Sequence, residues 1–162
     1  MEQSDPLCGF KYLIEKHGFM PSFHDGMISG VFLSDTLACL TIIYEDCTAE
    51  TVAQYDGDRA APTLFFKASI VVENPSLVIL PIKSSDDWIY RSSFMGDEET
   101  GECLVKLVLC SGPGVTIAGS GMHLKWLTEM TEEDWTAARS KNIELDIALL
   151  YPSRNFKSIS QF

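Results

Sequence analysis

The chain has 162 residues, and its 46% hydrophobic and 22% charged content is that of an ordinary globular protein rather than a disordered one. Its length predicts one domain, residues 1–162. The clearest deviation is a net charge of −11, from 12 basic and 23 acidic residues. Because its Lys and Arg residues never form a tight run, binding to the phosphate backbone of a nucleic acid is not expected.

The pattern of the sequence predicts no signal peptide and no membrane span. The opening residues 1–6 are polar and acidic, and no apolar run approaches the length of a membrane span. We therefore expect a cytoplasmic protein with no membrane partner. The five cysteines are odd in number and form no CxxC pair, which predicts free thiols and no zinc site.

The predicted elements begin with a helix. Pro6 follows a capping Ser4 or Asp5, apolar residues recur at helical spacing, and Gly18 ends the pattern. His17, near the carboxyl end of this helix, suits the helix dipole.

Strands follow from Gly26 onward. Residues 27–34 and 37–45 are apolar runs joined by a compact turn, which predicts an antiparallel hairpin, and the second run is apolar on both faces, as in a central strand. Residues 46–62 are predicted to form a long loop. A period-two pattern over residues 63–72 predicts a half-buried strand, and residues 77–82 are expected to pair back on it.

The second half continues this pattern. Residues 84–100 are polar with embedded aromatics and are predicted to be a loop, whereas residues 103–110 and 115–126 are predicted strands. Thr131 is expected to cap a short acidic helix over residues 132–139, and residues 143–149 alternate as a last strand before a loose tail. The fold class is therefore α+β, with a mostly antiparallel sheet of about six or seven strands, an N-terminal helix and a short C-terminal helix.

The most distinctive short motif is Phe23-His24-Asp25-Gly26, between the first helix and the first strand. An Asp beside a His can orient the ring and raise its basicity, so one interpretation is a general base or a metal site completed by Glu45 and Asp46. The other is structural: His24 and Asp25 satisfy backbone groups where the chain turns into the sheet. No known catalytic signature is present, so no catalytic residue, metal or cofactor is assigned, and an enzyme is the alternative rather than the main hypothesis.

A second candidate region combines aromatic and acidic residues. An aromatic anchor with an acidic rim is typical of a protein-binding surface, although these aromatics could equally cap the core beneath a loop. An acidic surface favours a basic partner, and the alternative is that the charge serves only to keep the protein soluble. A ligand cavity lined by strand aromatics, as in a half-barrel, is a further alternative. The candidate partner-binding residues are Trp88, Tyr90, Phe94, Asp97, Glu98 and Glu99.

The motif over residues 21–26, followed by the hairpin of residues 28–42, resembles the opening of the immunity protein 50 family. Residues 114–119 running into residues 122–125 are similar to a closing strand of that family. The resemblance implies a small cytoplasmic bacterial protein that binds and neutralises a polymorphic toxin without catalysis. It carries no established binding residues over to this chain.

Overall fold

The computed structural model describes residues 8–55, 61–82, 87–97, 99–141, 143–148 and 156–160. A short 3-10 turn, Cys8–Phe10, leads into the first of the three α-helices found in these ranges: α1 (Lys11–His17), α2 (Ala49–Ala53) and α3 (Glu132–Arg139). The ten strands within these residues are β1 (Met27–Ser34), β2 (Leu37–Asp46), β3 (Leu64–Glu73), β4 (Leu77–Ile82), β5 (Ile89–Gly96), β6 (Cys103–Leu109), β7 (Gly112–Gly119), β8 (Gly121–Met130), β9 (Glu144–Ala148) and β10 (Phe156–Ser160).

The strands form two five-stranded sheets. Sheet 1 has the order β8-β3-β2-β1-β9, and sheet 2 has the order β10-β4-β7-β6-β5. All pairings are antiparallel except those of β9 with β1 and β10 with β4. The α+β class with N-terminal and C-terminal helices is confirmed, and β2 lies at the centre of its sheet as predicted. The division into two sheets was not predicted, because it depends on pairings between strands far apart in sequence. The predicted pairing of residues 77–82 with β3 is wrong, since β4 pairs with β7 and β10 in sheet 2.

One hydrophobic core joins the two sheets. Alternate residues of β2 and β3, such as Leu40, Ile42 and Ile70, are buried in the same cluster as Val105 and Ile117 of sheet 2. Period-two alternation places all of these side chains on the inward face of their sheet. Buried side chains therefore fill the space between the sheets in the described part of the chain, which leaves a ligand-binding half-barrel without support.

Three predicted irregular regions contain regular structure. The predicted loop 84–100 contains β5, whose alternation is hidden by a register shift between Ile89 and Arg91 and by two serines. The predicted loop 46–62 contains α2, which has a reciprocal capping box between Thr48 and Thr51 but no buried residue. The predicted loose tail contains β10, which pairs with β4. The predicted start of the first helix, residues 4–7, lies outside the described residues.

Helix α3 packs on the outer face of sheet 1. Its Trp135 is buried against Met27 of β1 and Ile43 of β2, in a second apolar cluster that is separate from the main core. The predicted cap is present, because the Thr131 side chain accepts a hydrogen bond from the Asp134 amide at 3.1 Å. Among the described residues, no helix is long and apolar enough to cross a membrane.

Candidate binding surface

The loop from Phe23 to Gly26 has a strained backbone. Phe23 and Asp25 have positive φ angles of 55° and 62°. For a bulky aromatic residue such as Phe23, this conformation has an unfavourable conformational energy. Phe23 is nevertheless buried in the main core, with its ring edge-on to Tyr44 at 4.8 Å. The Gly26 amide donates to the Phe23 carbonyl at 2.9 Å, and a Cβ at Gly26 would lie only 2.8 Å from that oxygen. The close approach explains why glycine ends the motif.

Backbone hydrogen bonds fix this loop along β5, which is an edge strand of sheet 2. The Asp25 amide donates to the Ile89 carbonyl at 2.9 Å, and the Ile89 amide donates to the Gly26 carbonyl at 2.8 Å. Further along, the Ser92 hydroxyl donates to the Ser22 carbonyl at 2.5 Å. The main chain of the loop, rather than the side chains of His24 and Asp25, thus satisfies the backbone groups where the two sheets meet.

The side chains of His24 and Asp25 are consequently left facing solvent. The His24 Nδ1 atom lies 3.1 Å from the Asp25 Oδ2 atom, and the two side chains are 53% and 62% exposed. The His24 ring lies 6.0 Å from the ring of Tyr90, which is 56% exposed. Two candidates predicted separately, the His24-Asp25 pair and Tyr90, are therefore neighbours. We call His24, Asp25 and Tyr90 the loop surface.

The loop surface can donate and accept hydrogen bonds and can stack on a flat group. Among the described residues, no group of three His, Cys, Asp or Glu side chains could hold a metal ion. Asp46, considered from the sequence as a further ligand, accepts a hydrogen bond from the Cys47 amide at 2.8 Å. Partial burial and the Asp46 carboxylate raise the pKa of the Cys47 thiol, which therefore stays protonated and is a weak nucleophile at neutral pH.

Trp88 has a different role from Tyr90. It is half-buried, and the Arg139 guanidinium lies 3.9 Å from its ring centre and 4.4 Å from that of Trp135. A guanidinium held between two indole rings is a favourable cation–π arrangement. Arg139 was not singled out from the sequence, and its only local signal is its place as the basic residue in the last turn of α3.

The remaining predicted binding residues lie elsewhere. Phe94 points into the core, where its ring centre is 5.5 Å from that of Phe10 and 5.7 Å from that of Phe23. Asp97 and Glu99 lie in the turn after β5, about 23 Å along the strand from Tyr90 at 3.3 Å per residue. Glu98 lies outside the described residues. The structure therefore does not bring the five described candidates into one surface.

A buried polar network packs against the loop on its core side, and it was not predicted from the sequence. His17 is 1% exposed, its Nδ1 atom lies 2.6 Å from the Cys47 carbonyl oxygen, and its Nε2 atom lies 2.8 Å from the Tyr44 hydroxyl. Burial raises the pKa of Tyr44, so its hydroxyl keeps its proton and can donate to His17. In this arrangement the His17 Nε2 atom accepts a hydrogen bond from the Tyr44 hydroxyl, and the Nδ1 atom carries the hydrogen that it donates to the Cys47 carbonyl oxygen. The position of His17 at the end of α1 gave no indication of this burial.

No protein-family model, no curated protein and no solved structure matches the chain. The resemblance to the immunity protein 50 family stays a prediction carried by residues 21–26 and the hairpin that follows.

Proposed function

We propose that the chain is a binding protein that holds and neutralises a partner protein, in the manner of an immunity protein. The observation that carries the proposal is the loop surface, where a strained loop presents His24 and Asp25 beside the exposed ring of Tyr90. Tyrosine is among the residues most enriched at the energetic centres of protein interfaces.

The support beneath this surface favours binding. A positive φ at a buried phenylalanine persists only where the surroundings hold it, and here Tyr44, Gly26 and β5 all do so. A surface fixed before the encounter loses little conformational entropy when a partner binds. The strain of the loop is therefore consistent with a preorganised contact.

The charge of the chain indicates the kind of partner. A net charge of −11 attracts a basic protein over long range and speeds the encounter. Asp25 places a negative charge directly on the loop surface, where it would pair with a Lys or Arg of the partner. The proposed partner is therefore a basic protein, and a toxin is the class that the resemblance implies.

A second candidate function rests on the 3.1 Å contact between His24 and Asp25. A carboxylate that orients an imidazole is the arrangement of a general base, so the pair could activate water or a substrate hydroxyl. The solvent exposure of His24 and Asp25 favours the binding function over catalysis, since catalytic sites usually lie in concave pockets.

Growth protection tests the proposal. The chain would be co-expressed with the toxin-like product of a neighbouring gene. We expect full growth only when the amount of the chain at least equals that of the toxin, because one chain would bind one toxin molecule. Protection at amounts of the chain far below those of the toxin would instead indicate catalysis. The proposal fails if no such neighbour is encoded or if co-expression never protects.

Variants locate the contact. We expect Tyr90→Ala and His24→Ala each to weaken the complex by about tenfold or more, the range of an interface hot spot. Tyr12→Ala is the matched control, because Tyr12 is a similarly exposed tyrosine (59%) on α1. Equal affinities of the Tyr90→Ala and Tyr12→Ala variants would show that the loop surface is not the contact.

A further inference from the structure

A cavity opens on the outer face of sheet 2, where β5 runs into β6. Its volume is about 380 Å³, within the range of small binding pockets. Met95, Leu104 and Ala118 line it and are direct neighbours across three strands, because Met95 is paired with Leu104 and Leu104 with Ala118. Met95 is 49% exposed. The cavity thus has an apolar floor that is open to solvent.

Two carboxylates stand at one end of this floor. Asp97 and Glu102 both line the cavity, and the Asp97 amide donates to the Glu102 carbonyl at 2.7 Å, which holds the two residues opposite each other across the turn. The residues that line the cavity include no Lys, Arg or His. Both acidic side chains are exposed and carry no described ion pair.

The turn fixes the position of the Asp97 carboxylate. Its Oδ1 atom accepts the amides of Glu99 and Thr100 at 2.8 and 3.3 Å, and these hydrogen bonds lower the pKa of Asp97. The Gly101 amide closes the turn on the Asp97 carbonyl at 2.8 Å. The negative charge is therefore held at the end of the apolar floor rather than on a freely moving side chain.

We infer that this cavity receives a lysine or arginine side chain of a partner protein. Long basic side chains bury their methylene stems on apolar surface and keep the charged group at a polar edge, and the row of Met95, Leu104 and Ala118 beside Asp97 and Glu102 offers both. The inference rests on the proposed function, because it gives the basic partner a second contact about 23 Å from Tyr90 along β5. A second copy of this chain, itself at −11, is the less favourable occupant.

Titration followed by NMR tests the cavity without an identified partner. The probes are acetyl-Gly-Leu-Lys-Leu-Gly-amide, the same peptide with norleucine in place of lysine, and n-butylamine. We expect the lysine peptide to cause saturable shifts of the backbone amides of Met95, Gly96, Ala118 and Gly119. The norleucine peptide should cause none. Tighter binding of n-butylamine than of the lysine peptide would contradict a protein side chain as the occupant.

A charge variant supplies the decisive control. In D97N/E102Q the side-chain amide introduced at position 97 keeps an oxygen that can accept the turn amides, so the turn persists while both charges are lost. We expect its affinity for the lysine peptide to fall by about tenfold or more. The matched control is E144Q/D146N, which removes two exposed charges from β9 of the other sheet and should bind as the original chain does. Absence of saturable shifts, or equal binding by D97N/E102Q, would overturn the inference.

The growth assay separates this inference from the proposed function. Full protection by D97N/E102Q would remove the cavity from the interface and leave the proposed function standing. A chain that never protects but binds the lysine peptide in the expected way would refute the proposed function and support the cavity as a site for basic side chains.

Discussion

The hydrogen bond between Tyr44 and His17 gives the sharpest stability prediction. Replacing Tyr44 with Phe removes the hydroxyl 2.8 Å from His17 Nε2 and leaves that nitrogen buried without its donor. A buried polar atom that loses its partner typically costs about 1–3 kcal/mol. We expect the free energy of unfolding to fall by about 2 kcal/mol, near the middle of that range.

Urea unfolding followed by tryptophan fluorescence measures the change. With a slope of about 2 kcal/mol per molar urea, the midpoint should fall by about 1 M. Tyr90→Phe is the control, since Tyr90 is exposed and its loss of a hydroxyl should change the midpoint little. A Tyr44→Phe midpoint equal to that of Tyr90→Phe would refute the assignment of the network.

A double-mutant cycle tests the pairing itself. His17→Phe leaves both the Tyr44 hydroxyl and the Cys47 carbonyl without the imidazole, so its cost should exceed that of Tyr44→Phe. The decrease in the free energy of unfolding of the double variant should be smaller than the sum of the decreases of the two single variants, by about 0.5 kcal/mol or more. Because Tyr44→Phe keeps the ring that packs on Phe23, the binding expected of the loop surface should be unchanged. Simple additivity would contradict a direct contact.

Three further substitutions probe the loop, the tryptophan contact and the turn. Gly26→Ala should destabilise the chain by about 1–3 kcal/mol, because its Cβ meets the Phe23 carbonyl, and should weaken the proposed complex; unchanged urea midpoint and affinity would contradict the close packing. Arg139→Gln should lower the free energy of unfolding by about 1 kcal/mol through loss of the cation–π contacts of its guanidinium with Trp88 and Trp135, whereas Arg91→Gln, an exposed control, should unfold at the original midpoint. Gly101→Ala should cost about 1–2 kcal/mol from its φ of 73° alone, since nothing lies within 4 Å of the added Cβ, and a Gly101→Ala chain as stable as the original would refute the left-handed turn.

Local patterns in the sequence were sufficient for most single elements. The period-two pattern predicted β3 as a strand but not that residues 68–72 are buried on both faces, and the Thr131 cap with its acidic first turn predicted α3. β5 was not predicted because a bulge after Ile89 shifts the period-two pattern. α2 was not predicted because its five residues are exposed or half-buried and form no apolar stripe. These failures have local causes that a pattern of two or 3.6 residues does not contain.

The candidate surface was only partly predictable, for a different reason. His24 and Asp25 stood out as a short motif, and Tyr90 as one of a group of aromatics. Their proximity depends on the loop lying along β5, a contact between residues more than 60 positions apart. The same long-range geometry turns Phe94 into the core and places Asp97 at the far end of the strand. Charge and residue type alone cannot separate these outcomes.

The order of sheet 1 has a consequence for how the chain acquires its structure. Its central strands β1, β2 and β3 follow one another in sequence, but the flanking strands β8 and β9 both come from beyond residue 120. During synthesis, the outer edges of β1 and β3 in this three-stranded meander would therefore stay unpaired until the last quarter of the chain emerged from the ribosome. Bare edges pair readily with other chains, and such late, long-range closure is slow. We expect fragments that end before β8 to aggregate, and the nascent protein to depend on chaperones until its final strands are in place.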